Sequence, residues 1–202
     1  MVSSSTESTY GDSETRRRIL DATWELIEER GSGIRLADAA EKAGVSRQAV
    51  YLHFGDRSGL LVALVDHMDI SLGSVELREH VFGAPSGVES LRRWVETMSW
   101  YTEKIDRVTE VLEGGQYQDP DLSAAWRNRM NRRQDLIRQQ IVERIEDEGR
   151  LGSGWSVEKT AGLIYVLTMP GPWRELTRTL GWSAQDYSEW VWELLRRAFI
   201  RD

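Results

Sequence analysis

Apolar residues recur every three or four positions along most of this chain, the spacing that places side chains on one face of an α-helix. Near the amino terminus Ile19, Leu20, Thr23, Leu26 and Ile27 form such a stripe, with Trp24 at its edge. Leu36, Ala39, Ala40 and Ala43 share a face of a second helix that ends at Gly44, a residue suited to the left-handed conformation. Ser46 can accept an amide hydrogen bond at the start of a third helix, in which Val50 and Phe54 continue the burial. The small alanines let these two short helices cross closely.

Downstream, Asp56 is placed to cap a helix reaching about Leu72 and carrying Leu60, Leu61, Ala63, Leu64 and Met68. Residues 83–87 read as a loop, after which Leu91, Trp94, Val95, Met98, Tyr101, Thr102, Ile105, Val108 and Leu112 form a core-facing stripe that Gly114-Gly115 ends. Asp119-Pro120 opens a long helix to about Glu148, with Leu122, Trp126, Met130, Ile137, Ile141 and Ile145 on one face. That stripe has a polar gap at Arg133 or Gln134. A buried Arg133 needs a partner, which a ligand's acidic or carbonyl group would supply; an exposed one merely covers surface with its stem. Val157 to Leu180 carries Ala161, Ile164, Tyr165, Thr168, Trp173, Leu176 and Leu180 and is split at Pro170-Gly171-Pro172. Ser183-Ala-Gln-Asp186 is a capping box, followed by a seam of Tyr187, Trp190, Val191, Leu194, Leu195, Ala198 and Phe199. The predicted fold is all-α.

Two short helices hinged at Gly44 are the outline of a helix-turn-helix. Ser46 at the start of its second helix leaves Arg47, Gln48, Ala49 and Leu52 away from the buried face, where Arg suits guanine, Gln adenine and Ala a thymine methyl. A helical hairpin with a solvated face is the plainer alternative. Net charge bears on the choice: at −7 over 202 residues the chain is no general polyanion binder, but Arg16, Arg17, Arg18, Arg35, Lys42, Arg47 and Arg57 make the amino-terminal part locally basic. Cations at a helix start oppose its dipole, so Arg16 to Arg18 are read as phosphate contacts, with a solvated run as the alternative. The absence of cysteine excludes disulfides and thiolate metal sites. Residues 1–12 are polar and predicted to be a disordered tail, with no signal peptide or membrane span, so a cytoplasmic protein is expected.

Three segments together resemble the DNA-binding domain of the tetracycline-repressor (TetR) family of bacterial regulators: Thr15-Arg-Arg-Arg-Ile-Leu-Asp-Ala through Glu29-Arg30-Gly31, Ala39-Ala-Glu-Lys-Ala-Gly-Val-Ser46, and Val50-Tyr-Leu-His-Phe54 with Asp56 to Leu61. The resemblance implies a DNA-binding domain over 13–58 and a helical ligand-binding and dimerisation domain over 59–202, a homodimer, and release from a palindromic operator by a small molecule. It also implies backbone contacts by Tyr51 and His53, although a half-packed tyrosine and a solvated imidazole account for them equally. Two positions depart from the family pattern. Arg35 stands where Thr or Ser usually caps the first helix of the hairpin, and can pair with phosphate but cannot cap; Arg57 replaces the usual Lys and keeps its charge.

The nine tryptophans, five of them Trp94, Trp100, Trp126, Trp155 and Trp173, stand out in so short a chain. With Met98, Tyr101, Met130, Arg133, Tyr165 and Met169, the residues Trp94, Trp126 and Trp173 are candidates to line a cavity for an apolar or planar ligand, against plain core packing. In the resembled family the last two helices pair with their copies, which points to Ile164, Thr168, Leu176, Leu180, Tyr187, Trp190, Val191, Leu194, Leu195 and Phe199 as the dimer interface. No catalytic constellation, cofactor motif or metal-spaced cluster is present, and Glu143, Glu146, Asp147 and Glu148 read as a solvated helix end. The expected protein is a DNA-binding regulator and not an enzyme. The alternatives are a regulator whose body binds a protein partner, a reading that leans on an exposed Trp192 opposite the last seam, and a small helical enzyme.

Overall fold

The computed structural model describes residues 4–201. Among these every regular element is helical, save one antiparallel bridge between Leu151 and Ile200, which is the all-α architecture the periodicity predicts. The chain divides into two compact units: residues up to Ser71 together with Arg107–Trp126, and Leu72–Asp106 together with Arg127–Asp202.

In the first unit α1 (Ser4–Arg30) buries Ile19, Leu20, Thr23, Leu26 and Ile27. A turn of 3-10 helix leads to α2 (Leu36–Ala43), α3 (Arg47–Phe54) and α4 (Arg57–Ser71). Helix α1 starts well before residue 12, within the stretch expected to be a tail; residues 1–3 of that stretch lie outside the described residues. Most of the added residues are Ser, Thr and Glu, which cost little in a helix, and a segment held by packing from Ile19 onward extends backward through Gly11 with no proline to stop it. Asp56 caps α4 by accepting from the Gly59 amide at 2.8 Å. His67 of α4 meets the Asp21 carboxylate at 2.6 Å, a tie between α4 and α1. The Ser58 hydroxyl donates to Asp119, whose carboxylate also accepts from the Leu122 amide and so starts α7 (Pro120–Ile137).

The second unit contains α5 (Ser74–Phe82), the greater part of α6 (Gly87–Gly115) and everything after Trp126. Helix α5 buries only Val81, which is why no stripe announced it. At the start of α6 a Cβ on Gly87 would lie 2.7 Å from the Ile145 nitrogen, so only glycine fits. Glu148 accepts from the Gly87 amide at 2.9 and 3.0 Å, so this residue of an exposed helix end also caps α6. The long helix predicted to Glu148 widens into a π-turn over Arg138–Val142 before α8 (Glu143–Asp147), and the wider turn brings the adjacent Ile141 and Val142 both into the core. Helix α9 (Val157–Leu167) stops where Pro170-Gly-Pro predicts a break; α10 (Pro170–Arg174) and a second π-turn (Glu175–Thr179) follow, then α11 (Ala184–Phe199) with the Ser183–Asp186 capping box.

The core of this unit corrects the assignment of the last seam. Tyr187, Val191, Leu195 and Phe199, spaced four apart on α11, are buried against Ile164, Trp94 and Trp173 of the same chain, and Thr168 is buried beside them. An α-helix cannot turn all seven positions of that seam the same way, so Trp190 and Leu194 point out, 62% and 55% exposed. Trp192, expected to be exposed, packs on the core.

Asp106 is a buried carboxylate held by Arg174 at 2.9 Å and Arg178 at 2.6 Å, joining α6 to the segment after the Pro-Gly-Pro break. Asp106→Ala is expected to lower unfolding free energy by about 3 kcal/mol, the low end for breaking a buried pair because both arginines keep some solvent; urea denaturation measures it. Burial pushes the Tyr187 phenol up to about 12. A raised acid pKa means that stability is fully present below about pH 10 and is lost as pH rises toward 12, while the unfolded chain sheds the proton first. In Tyr187→Phe that alkaline loss is expected to shrink, as read from denaturation midpoints between pH 9 and 12.

Candidate functional site

The turn between α2 and α3 sets the direction of the exposed helix face. Gly44 adopts the left-handed conformation (φ 66°), and the Val45 amide closes back on the Ala40 carbonyl at 3.0 Å. The Ser46 hydroxyl then accepts from the Ala49 amide at 3.1 Å and starts α3. Ala39, Ala40 and Ala43 on one side and Val50 and Phe54 on the other are buried, which fixes the roll of α3 about its axis. Its outer face carries Arg47 and Gln48, both exposed, the partly covered Ala49, and Tyr51 and Leu52, which are 63% and 77% exposed. Arg47, Gln48 and Tyr51 make no intrachain hydrogen bond or ion pair among the described residues. A face held rigidly from behind, with free donors in front, is what groove recognition requires.

The other basic residues assigned to phosphate are engaged within the chain. Arg18 donates to the Ala43 carbonyl at 2.6 Å, closing the end of α2, and Arg16 donates to the His53 carbonyl at 3.2 Å with its guanidinium 4.6 Å from the Phe54 ring centre. Arg17 pairs with Glu14 and Asp21. Because α1 begins at Ser4, these three lie well inside the helix, and the dipole argument for phosphate does not apply to them. Arg35 pairs with Asp38, whose carboxylate also accepts from the Arg35 backbone amide at 2.9 Å; the acid thus supplies the helix start that the arginine cannot. Hydrogen bonding to Arg35 holds Asp38 below its ordinary carboxylate value. Arg57 donates to the Ile34 and Ser32 carbonyls, each at 3.0 Å, and pins the loop before α2. His53 is half-buried, with its ring 3.4 Å from Asp12.

Within the second unit the structure gathers many of the residues proposed for ligand. Trp94 and Trp173 are buried in one cluster on which Met98 and Tyr165 pack. The Trp94 indole donates to the Thr168 hydroxyl at 3.2 Å and that of Trp173 to Ser99 at 3.3 Å. Tyr101 and Met130 are also buried, Arg129 donates to the Tyr101 hydroxyl at 2.8 Å, and Met169 is half-buried. Trp126 is buried in the first unit, Trp100 is 41% exposed, and Trp155 stacks edge-on against Phe199. Arg133, the polar gap of the α7 stripe, lies over Trp94, with 5.3 Å between guanidinium and ring centre, and donates to the Thr168 carbonyl. Sequence reasoning missed the part played by Thr168; its position just before the Pro-Gly-Pro break, where helix carbonyls are left open, was the available signal. Among the described residues no helix is long and apolar enough to cross a membrane, and no group of three potential metal ligands gathers.

Residues 19–64 match the family model described as bacterial regulatory proteins, tetR family. The HTH-type transcriptional regulator AcrR of Shigella flexneri is 38% identical over 65 residues, 32% of this chain and 30% of AcrR, so the chain spans about a third of the length of such curated relatives. Solved structures align over nearly the whole chain. That of NalD, the secondary repressor of the MexAB-OprM multidrug efflux pump in Pseudomonas aeruginosa, is 25% identical with a TM-score of 0.73, covering 96% of this chain and 99% of NalD. A transcriptional regulator from Saccharomonospora viridis in complex with choline is 19% identical with a TM-score of 0.80, covering 94% of this chain and all of that one. Residues 19–64 therefore carry the amino-terminal domain of the tetR family of bacterial regulatory proteins, and the chain over nearly its whole length has the fold of such regulators.

Proposed function

We propose that this chain is a homodimeric, sequence-specific DNA-binding regulator, a repressor released from a palindromic operator when a small apolar or aromatic molecule binds its helical body. The observation that carries the reading is the free row on α3: Arg47 and Gln48 exposed and unpartnered, beside Ala49 and Leu52, on a helix fixed from behind. A head of residues 13–58 would read DNA and a body of residues 59–202 would bind ligand and a second copy. One short helix makes too few base contacts for specificity, and two-fold pairing doubles them at half-sites roughly 34–36 Å apart. The apolar side chains left for a second copy are Leu163 and Val166 on α9, Leu180, and Trp190 and Leu194 on α11. NalD, named as a repressor, supports repression, and the choline complex supports a small molecule in a body of this fold. Choline itself is disfavoured here, because Arg133 already places a half-buried positive charge in the body. A protein partner in place of the small molecule loses its best support, since Trp192 packs on the core.

Selection of random duplexes on the purified protein across a salt series is the direct test. An enriched palindrome with a steep salt slope supports the reading, and no enrichment overturns it. In the same assay Arg47→Ala is expected to cost about 1–3 kcal/mol and relax preference at one base pair. Arg18→Ala is expected to weaken all sequences alike and to lower the melting temperature, because it opens the end of α2. For the assembly, Leu194→Arg is expected to give monomers in sedimentation velocity with the fold intact by circular dichroism; an unchanged dimer would place the interface elsewhere.

A further inference from the structure

Arg133 carries a positive charge into the second unit with no carboxylate to meet it. One Nη donates to the Thr168 carbonyl, while its Nε–H is shielded from solvent and has no acceptor. No Asp or Glu pairs with it among the described residues. Burial presses the guanidinium down to about 10, which still leaves it a cation at neutral pH, and its like-charged neighbour Arg129 acts in the same direction. The groups that soften the cost are partial charges: the face of Trp94, the carbonyl at the end of α9, and the nearby hydroxyls of Tyr101, Tyr165 and Tyr187. Elsewhere in the same unit the arginines that reach inward, Arg174 and Arg178, converge on the full negative charge of Asp106. Around Arg133 that full negative charge is missing.

We infer that Arg133 is the anchor for a small carboxylate, whose apolar or planar body lies against Trp94 and Tyr165. This rests on the reading of the second unit as a ligand-binding body. The unpaired Nε–H is a donor in a low-dielectric place, where an ionised acceptor gains most and an unmade bond costs most. A monoanion neutralises a single guanidinium; a dianion would leave surplus charge buried, and a cation would add to Arg133 and Arg129. The Nε–H groups of Arg57, Arg93 and Arg174, by contrast, each have a protein acceptor.

The test uses the full-length protein and matched probes that differ only in charge: 2-naphthoate, 2-naphthamide and 2-naphthyltrimethylammonium, with decanoate and decanamide as an aliphatic pair. Calorimetric titration is expected to show each carboxylate binding at least tenfold tighter than its amide, about 1.4 kcal/mol, with the ammonium weakest. In Arg133→Met the carboxylate advantage is expected to vanish while amide affinity stays near wild type, which also reports a preserved fold. Arg133→Lys, the variant to use if Met does not fold, is expected to retain part of the advantage over wild-type amide binding. Carboxylates bound no better than amides, or an advantage that survives in Arg133→Met, overturn the anion assignment and leave a ligand-binding body standing. No binding by any probe of either shape overturns both.

Discussion

Arginine side chains closing the open carbonyl ends of helices are the interaction on which this all-helical chain depends. Each α-helix leaves its last carbonyls without partners, and short helices have proportionately more of them. Here Arg18 reaches the end of α2, Arg16 the end of α3, Arg57 the loop after α1, Arg93 and Arg144 the end of α5, and Arg133 the end of α9. A charged donor on a carbonyl that also sits at the negative end of a dipole contributes about 1.5–3 kcal/mol when shielded and much less in water. These links also join elements far apart in sequence, which the local helical bonds cannot do. The turn that orients α3 is held in this way from outside as well as by Gly44 within.

That use of arginine changes how the charge of the chain bears on DNA. Counting cations in the first 60 residues suggests a broad phosphate-binding surface, but most of them already have acceptors, and Lys42 lies between Glu25 and Glu29. Arg47, on the exposed face of α3, has none among the described residues. An exposed guanidinium stays hydrated at little cost until it meets a base edge, so its binding energy remains available for discrimination. In the proposed function the committed arginines would act on affinity at one remove, by holding the helix that carries Arg47.

Much of this architecture was legible in the sequence because helical periodicity, glycine breaks and capping residues are local signals. The boundaries at Gly44, Ser46, Asp56, Gly115, Pro120 and Ser183 follow from conformations and side-chain acceptors that each residue type favours. What could not be read is which of two faces a rich stripe serves. On α11 the apolar seam reads as one face, and packing divides it, with Tyr187, Val191, Leu195 and Phe199 inward and Trp190 and Leu194 outward. The acceptors of the arginines were equally hidden, because a guanidinium on a long flexible stem finds carbonyls that sequence spacing does not reveal. Arg133 was the exception: a cation breaking an apolar stripe signalled itself, although its contact with the end of α9 did not.

Arg47 and Arg133, which both lack a full set of partners among the described residues, obey opposite physics. Arg47 waits in water, where an absent partner costs nothing, and in the proposed complex it would gain a base contact. Arg133 waits in a shielded place, where every missing acceptor destabilises the unliganded chain. A ligand that supplies the acceptor therefore gains from the protein's own discomfort as well as from its contacts, and the gain is largest in whichever conformation keeps Arg133 most shielded. Since Arg133 holds the carbonyl of Thr168 and Thr168 holds Trp94, neutralising that charge bears on the point where α9 stops and the Pro-Gly-Pro segment begins. A difference of a few kcal/mol in shielding between two conformations of that segment is enough to shift their populations by a hundredfold or more. In the proposed function, control by ligand then requires only that the two conformations present α3 differently to DNA.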